Sequence, residues 1–229
     1  MIKENIKRLL SELPEGVTLL AAAKTRNADE ISEAIRGGIK IIGENYLNDA
    51  LDVINEVTQK AEWHFIGHLQ RNKVKKVIDI FDMIESVDSL RLAKEIEKWC
   101  EKRNKVMPIL IEVNSGEENQ KAGVAPKDVA QLITDISSLN YVKIMGLMTM
   151  GPRFGDPEES RPYFIKTREI FEQIKDLHLP NVEMKYLSMG MTNSYEVAIQ
   201  EGANLVRIGT KIFGERREPN LAGFLQKSH

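Results

Sequence analysis

Thr18-Leu19-Leu20-Ala21-Ala22-Ala23-Lys24-Thr25 is a short apolar run that stops on one lysine. Its lack of polar alternation is the mark of a strand covered on both faces. Lys24 then sits where that strand leaves the core, half shielded from water. Desolvation there disfavours the ammonium form and frees the amine to attack a carbonyl. The alternative is that Lys24 only marks the solvated end of a strand, and the rest of the chain has to decide.

Outward from this run the same rhythm repeats. Apolar runs fall at 17–23, 39–42, 62–66, 82–86, 107–113, 141–148, 184–188 and 204–208. A helix is expected at 2–12, and helical patterns separate the runs at 29–36, 45–58, 70–80, 89–103, 127–139, 158–177 and 193–201. Asp88-Ser89 and Pro126-Lys127-Asp128 have the composition of helix starts. Strands alternating with helices imply right-handed crossovers and a parallel sheet. Eight such units favour closure into a single (β/α)₈ barrel with an extra N-terminal helix. No linker or low-complexity tract divides the chain, so one domain over 1–229 is expected.

Composition narrows the function. With 229 residues, 42% hydrophobic and 29% charged, the chain has the make-up of a soluble globular protein. A net charge of -2 gives no reason to expect a nucleic-acid partner or an anionic membrane. Met1–Arg8 mixes charged and apolar residues at helical spacing, without the core of a signal peptide. Cys100 is the only cysteine, so no intrachain disulfide can form and a reducing cytoplasm is the expected compartment.

The residues that close the runs are polar, and in a barrel the strand ends form the catalytic face. Lys24 follows the first, Gly43-Glu44-Asn45 the second and Gly67-His68 the third. Ser86, Asn114-Ser115 and Thr149 close the fourth to sixth; Ser188-Met189-Gly190-Met191-Thr192 and Arg207-Ile208-Gly209-Thr210 close the last two. Barrels commonly bind phosphate with the loops after strands seven and eight. Gly190 and Gly209 let backbone N–H groups approach an anion, and Ser188, Thr192 and Thr210 offer hydroxyls. Thr192-Asn193-Ser194 can also cap the following helix. A reactive lysine beside a phosphate cradle fits a sugar phosphate or pyridoxal 5′-phosphate (PLP). Arg207 bears on the second case: an arginine facing a pyridine nitrogen cannot give up its proton, so it holds that nitrogen unprotonated.

Ala23-Lys24-Thr25, Gly43-Glu44-Asn45-Tyr46 and Trp63-His64-Phe65-Ile66-Gly67-His68-Leu69-Gln70-Arg71-Asn72-Lys73 carry a family resemblance. So do Gly146-Leu147-Met148-Thr149-Met150, Leu187-Ser188-Met189-Gly190-Met191-Thr192 and Val206-Arg207-Ile208-Gly209-Thr210-Lys211-Ile212-Phe213-Gly214. From Asn5 to Arg216 the chain resembles the PLP homeostasis proteins, a family similar to the barrel domain of alanine racemase (PLP fold type III). The resemblance implies PLP held on Lys24 as an internal aldimine. It places the phosphate on the loops of Ser188, Gly190, Met191, Thr192, Gly209 and Thr210, with Arg207 at the pyridine nitrogen and Asn45 close to the cofactor. Lys121 matches a second lysine on the mobile rim, either taking part in exchange of PLP or standing as a solvated loop lysine. Two positions depart from the family pattern. Ala23 stands where many relatives have serine, and Thr192-Asn193-Ser194 lacks the acid of a Ser-x-Asp motif.

Other candidates carry less. His64 and His68 straddle a strand end, not a helical face, which argues against paired metal ligands. Arg71–Lys76 reads as a solvated helix face, Cys100 as packing, and Asp79, Asp82 and Glu85 as no catalytic dyad. Two-base racemisation needs an acid–base group on each face of the carbanion, and nothing in the sequence places Tyr46, Tyr163 or Tyr195 there. The chain ends at His229, soon after Gly214, so the β-rich second domain of a racemase is not expected. The resemblance therefore implies a carrier that holds PLP and delivers it to PLP-dependent apoenzymes, not an enzyme; a monomer is favoured over a dimer. A weak amino-acid racemase is the alternative, and a lysine-dependent aldolase acting on a sugar phosphate fits the residues but not the motifs.

Overall fold

The computed structural model describes residues 1–118, 122–152 and 155–215. Eight strands, β1 (Thr18–Ala22), β2 (Ile41–Glu44), β3 (Glu62–Phe65), β4 (Met83–Val87), β5 (Met107–Val113), β6 (Val142–Thr149), β7 (Val182–Ser188) and β8 (Leu205–Ile208), pair in parallel in chain order. β8 returns to β1, with Leu20 opposite Arg207 and Ala21 opposite Ile208, and the barrel closes. The helices are α1 (Ile2–Glu12), α2 (Ala28–Arg36), α3 (Leu47–Val53), α4 (Val74–Ile80), α5 (Leu90–Glu101), α6 (Val129–Ser137), α7 (Arg161–Lys175), α8 (Tyr195–Gln200) and α9 (Thr210–Phe213).

The unalternating apolar runs have a plain cause. Leu19 and Ala21 of β1 face the helices, where they join the large outer core with Ile31, Val206 and Ile208. Leu20 faces inward, where it meets Ile41, Met83, Leu110, Met145, Met148 and Leu205. Both faces of β1 are thus apolar contacts, as a helix-covered barrel requires. Outside, Ile2, Ile6 and Leu9 make the buried stripe of α1, and the Asn5 side-chain amide donates to Ile212 O of α9 at 3.0 Å.

Helix starts behave as their residues dictate. Ser89 caps α5 by accepting from Leu92 N–H, and Asn27 with Glu30 forms a reciprocal capping box on α2. Pro126–Asp128 forms a 3₁₀ turn leading into α6. The pattern at 45–58 yields a shorter helix, Leu47–Val53, because the chain continues as a turn whose Glu56 and Val57 N–H groups both return to Val53 O. Ser194 precedes α8, but its hydroxyl accepts from Met191 N–H at 3.3 Å instead of capping the helix. Gly146 marks an irregularity between β6 and β7. Its φ is 141°, and a Cβ there would lie 1.9 Å from Tyr186 O, so only glycine admits that approach.

No helix among the described residues is long and apolar enough to cross a membrane.

Candidate functional site

Lys24 follows β1 at the carboxyl-end rim and is half-buried. Its Nζ donates to the Tyr46 hydroxyl at 3.2 Å and lies 4.8 Å from that ring's centroid. The next residue, Thr25, has φ 65°, a left-handed conformation that a β-branched residue adopts at a cost of about 1–3 kcal/mol. Two contacts hold this turn. Thr25 N–H donates to Asp49 Oδ2 of α3 at 3.3 Å, and Arg26 donates to Gly214 O at 2.7 Å while its guanidinium covers the Phe213 ring. The strand end carrying Lys24 is therefore tied both to the neighbouring unit and to the segment after α9.

Barrel closure sets the loops after β7 and β8 beside it. Gly190 has φ 90°, and a Cβ on it would lie 2.6 Å from Ala198 Cβ and 2.9 Å from Tyr195 Cα, so the loop rests directly on α8. Met191 and Thr192 are half-buried in the same loop. Gly209 approaches β1 closely, since a Cβ on it would be 3.0 Å from Ala22 O; Thr210 beside it is exposed. Among the described residues the N–H groups of Gly190, Thr192 and Thr210 have no acceptor. Two glycine turns with free N–H groups make a place where an anion can be held.

Arg207 points into the barrel from β8 and is 4% exposed. Its Nη1 donates to Ser188 Oγ at 2.6 Å, and its Nη2 donates to Thr149 O at 2.8 Å and contacts Met150 Sδ at 3.3 Å. Ser188 is fully buried and its hydroxyl donates to Glu85 Oε2 at 2.7 Å. Glu85 Oε1 is 2.7 Å from His64 Nδ1. Ser188, expected among the phosphate-loop residues, thus has its hydroxyl taken up by the barrel interior. Burial acts against the Glu85 anion, but the hydrogen bond and charge of His64, with Arg207 and Ser188, hold the carboxyl below its ordinary range. For His64 burial likewise opposes the charged form, and Glu62 and Glu85 outweigh it, raising the imidazole to about 9.

Two further carboxyls stand near the rim. Burial, then the charge of Asp49, pushes Glu44 up to about 8, and neither of its oxygens has a hydrogen-bond partner among the described residues. Burial and Asp88 push Glu112 up to about 7 against the pull of Arg207. Asn45 is half-buried and, with Tyr46, Gly67, His68, Gln70 and Lys73, lines a cleft of about 290 Å³.

Lys24, the Gly190–Thr192 and Gly209–Thr210 loops and Arg207 thus share one rim and its neck, as their order in the chain requires. Lys121 lies outside the described residues. Glu85 and His64 were not read as site residues from the sequence. Their signal was there: each is an ionisable residue inside a fully buried run, Ile84-Glu85-Ser86-Val87 and Trp63-His64-Phe65. Tyr46 stands against Lys24, whereas the Tyr195 hydroxyl accepts from Lys211 and Tyr163 lies against Gly116.

The family model described as alanine racemase, N-terminal domain, matches residues 1–217. A pyridoxal phosphate homeostasis protein of Aquifex aeolicus is 44% identical over 200 residues, covering 87% of each chain. The solved structure of PipY from Synechococcus elongatus with PLP bound is 31% identical, with a TM-score of 0.86 over 93% of this chain and 100% of that one. Alanine racemase of Clostridium difficile shares the fold alone, at 13% identity and a TM-score of 0.79, and this chain covers 58% of it. The extra N-terminal helix, the closed parallel barrel and the motifs at its rim accordingly make this chain a member of the pyridoxal phosphate homeostasis protein family, built on the alanine racemase barrel.

Proposed function

We propose that this protein binds PLP at the carboxyl-end rim, holds it covalently on Lys24, and serves to keep and hand on the cofactor without robust turnover of a substrate. The observation that carries the reading is the meeting of Lys24 with the loops after β7 and β8. Strand pairing of β1 with β8 sets the amine beside two glycine turns with free N–H groups. These features suit a phosphorylated aldehyde, and the PLP-bound relative supports that choice over a sugar phosphate.

When bound, PLP supplies an aldehyde carbon that an amine can take up and later release. This chain's residues divide the work. Lys24 Nζ is the amine, presented by the strained Thr25 turn and steadied by Tyr46. Gly190, Thr192 and Thr210 would receive the phosphate through their free backbone N–H groups and the two threonine hydroxyls, with Gly209 opening the second turn. Met191 N–H is already spent on Ser194 Oγ and adds no donor. Ser188 has its hydroxyl between Glu85 and Arg207 and so bears on the guanidinium instead of the phosphate. Arg207 would hold the ring nitrogen with a group that keeps its protons and so would favour its unprotonated form. That weakens the ring as an electron sink, which suits storage more than carbanion chemistry. Asn45, just past the end of β2, would border the cofactor.

Racemisation is the competing reading. It needs a second acid–base group on the face of the cofactor opposite Lys24. Of the three tyrosines weighed for that role, Tyr46 is bound to Lys24 itself and the other two are engaged elsewhere.

A PLP titration followed by visible absorbance tests the proposal. Wild-type protein develops the band of lysine-bound PLP and Lys24→Ala does not. A wild-type chain that takes up no PLP refutes it. Robust, Lys24-dependent α-proton exchange of D- or L-alanine would replace the carrier reading with a racemase.

A further inference from the structure

We infer that His64, acting through Glu85 and Ser188, is a positioning residue for Arg207: it holds the guanidinium on the β7 side of the barrel and fixes which of its N–H groups remain for a ligand. The consequence for the cofactor rests on the proposed function; the geometry rests on the barrel alone.

The chain of contacts runs His64, Glu85, Ser188, Arg207, across β3, β4, β7 and β8, and its links measure 2.7, 2.7 and 2.6 Å. All four residues are buried, at 1%, 0%, 0% and 4% exposure, so no solvent competes for these bonds. Arg207 cannot accept a hydrogen bond, so Ser188 Oγ must accept from it and must spend its own proton on Glu85. Glu85 Oε2 is therefore an acceptor. With a carboxylate at Oε1 as well, His64 Nδ1 must carry a proton. Every bond in the chain then has one possible direction, set at one end by a guanidinium and at the other by an imidazole.

Charge shows why the far end matters. Arg207 feels two carboxyls, Glu85 and Glu112 of β5. A cationic His64 keeps Glu85 ionised and so keeps the guanidinium committed to β7. If Glu85 were neutral, the β7 side would lose the nearer of the two carboxyls that hold the guanidinium, and its orientation would be less fixed. The groups facing His64 are mostly anionic. Glu62 on its own strand is 3.8 Å from Nε2, an ion-pair separation that leaves Nε2 without a hydrogen-bond partner among the described residues. Glu85 comes from β4, and β2 offers Gly43 opposite it. Lys185 of β7 acts on Glu62, and Arg207 of β8 acts on Glu85. Held in this way, Arg207 uses Nη1 on Ser188 and Nη2 on Thr149 O and Met150 Sδ, leaving Nε–H and one Nη1–H without an acceptor among the described residues.

Nitrogen-15 NMR of the imidazoles in the full chain without added PLP tests the inference first. Expected is a His64 ring protonated on both nitrogens at neutral pH, losing a proton only near pH 9, and a Glu85→Gln variant in which that loss moves below neutral. PLP titrations of His64→Gln, Glu85→Gln and Ser188→Ala, all retaining Lys24, come second. Each is expected to keep the lysine-bound band but to shift its position with pH and to raise half-saturation about tenfold, as for one lost charged hydrogen bond. Ser188→Ala removes only an oxygen and keeps the test valid if the other two variants fail to fold. A neutral His64 at neutral pH, or variants with the wild-type spectrum and midpoint, overturns the inference. If wild-type protein takes up no PLP, the proposed function fails and the His64 titration alone decides the inference.

Discussion

Arg207 on β8 and Lys24 just past the neighbouring β1 lie close in the barrel, yet it treats their charges in opposite ways. Arg207 is nearly dry, clamped by Ser188 and Thr149 and backed by two further ionisable groups. Lys24 is half-buried, and its ammonium has one hydrogen bond, to the exposed Tyr46. A guanidinium immobilised in a low-dielectric neck serves recognition, because its direction is settled before any ligand arrives. An amine held by one weak contact at a solvated rim is suited to forming a bond and releasing it. The difference between the two cations is the physical basis for reading this barrel as a holder of a cofactor.

That contrast can be broken from the buried side first. Removing the carboxyl in Glu85→Ala leaves His64 and Arg207 as buried charges without their shared anion, and urea unfolding is expected to show a loss of about 3–5 kcal/mol. Gly190→Ala comes next. It forces a side chain onto φ 90° and against Ala198 and Tyr195, so about 1–3 kcal/mol of stability and much of the PLP affinity should go together.

Alkaline pH weakens the same interior by a smaller amount. His64, ordinarily near 6.5 and raised to about 9, contributes stability that is complete below pH 6.5 and lost as pH rises through 9. Glu44, raised from 4.5 to about 8, adds a loss of its own. Between those values the folded chain holds a proton that the unfolded chain has released, so stability falls as pH rises. Unfolding midpoints measured from pH 6.5 to 9 should therefore decline, and Glu44→Gln should flatten the earlier part of the decline. At the exposed end, Tyr46→Phe should change stability by less than about 0.5 kcal/mol while speeding the exchange of PLP, read by transfer to a scavenging amine.

Much of this fold was legible because its signal is local and repeated. Eight apolar runs, each with a polar residue at its end, require no knowledge of which strands meet, and parallel crossovers then put those ends on one rim. The rim positions of Lys24 and of the glycine loops after β7 and β8 were readable for the same reason. What the sequence concealed was direction. Glu85 looks like one of several acids around the fourth run until the inward side of β4 is known; then it shares the interior with Met83 while Ile84 and Val87 pack outside. His64 is similar, between the outward-facing Trp63 and Phe65. Ser188 was legible as a loop hydroxyl, but its partners lie 103 and 19 residues away, on strands that only closure brings together.

The central claim is that the loosely held amine, and no other, carries the cofactor. Borohydride reduction of the PLP-loaded protein, followed by proteolysis and mass spectrometry, measures this directly. The account predicts one pyridoxyl adduct, on the peptide containing Lys24; an adduct distributed over surface lysines, or none, would contradict it.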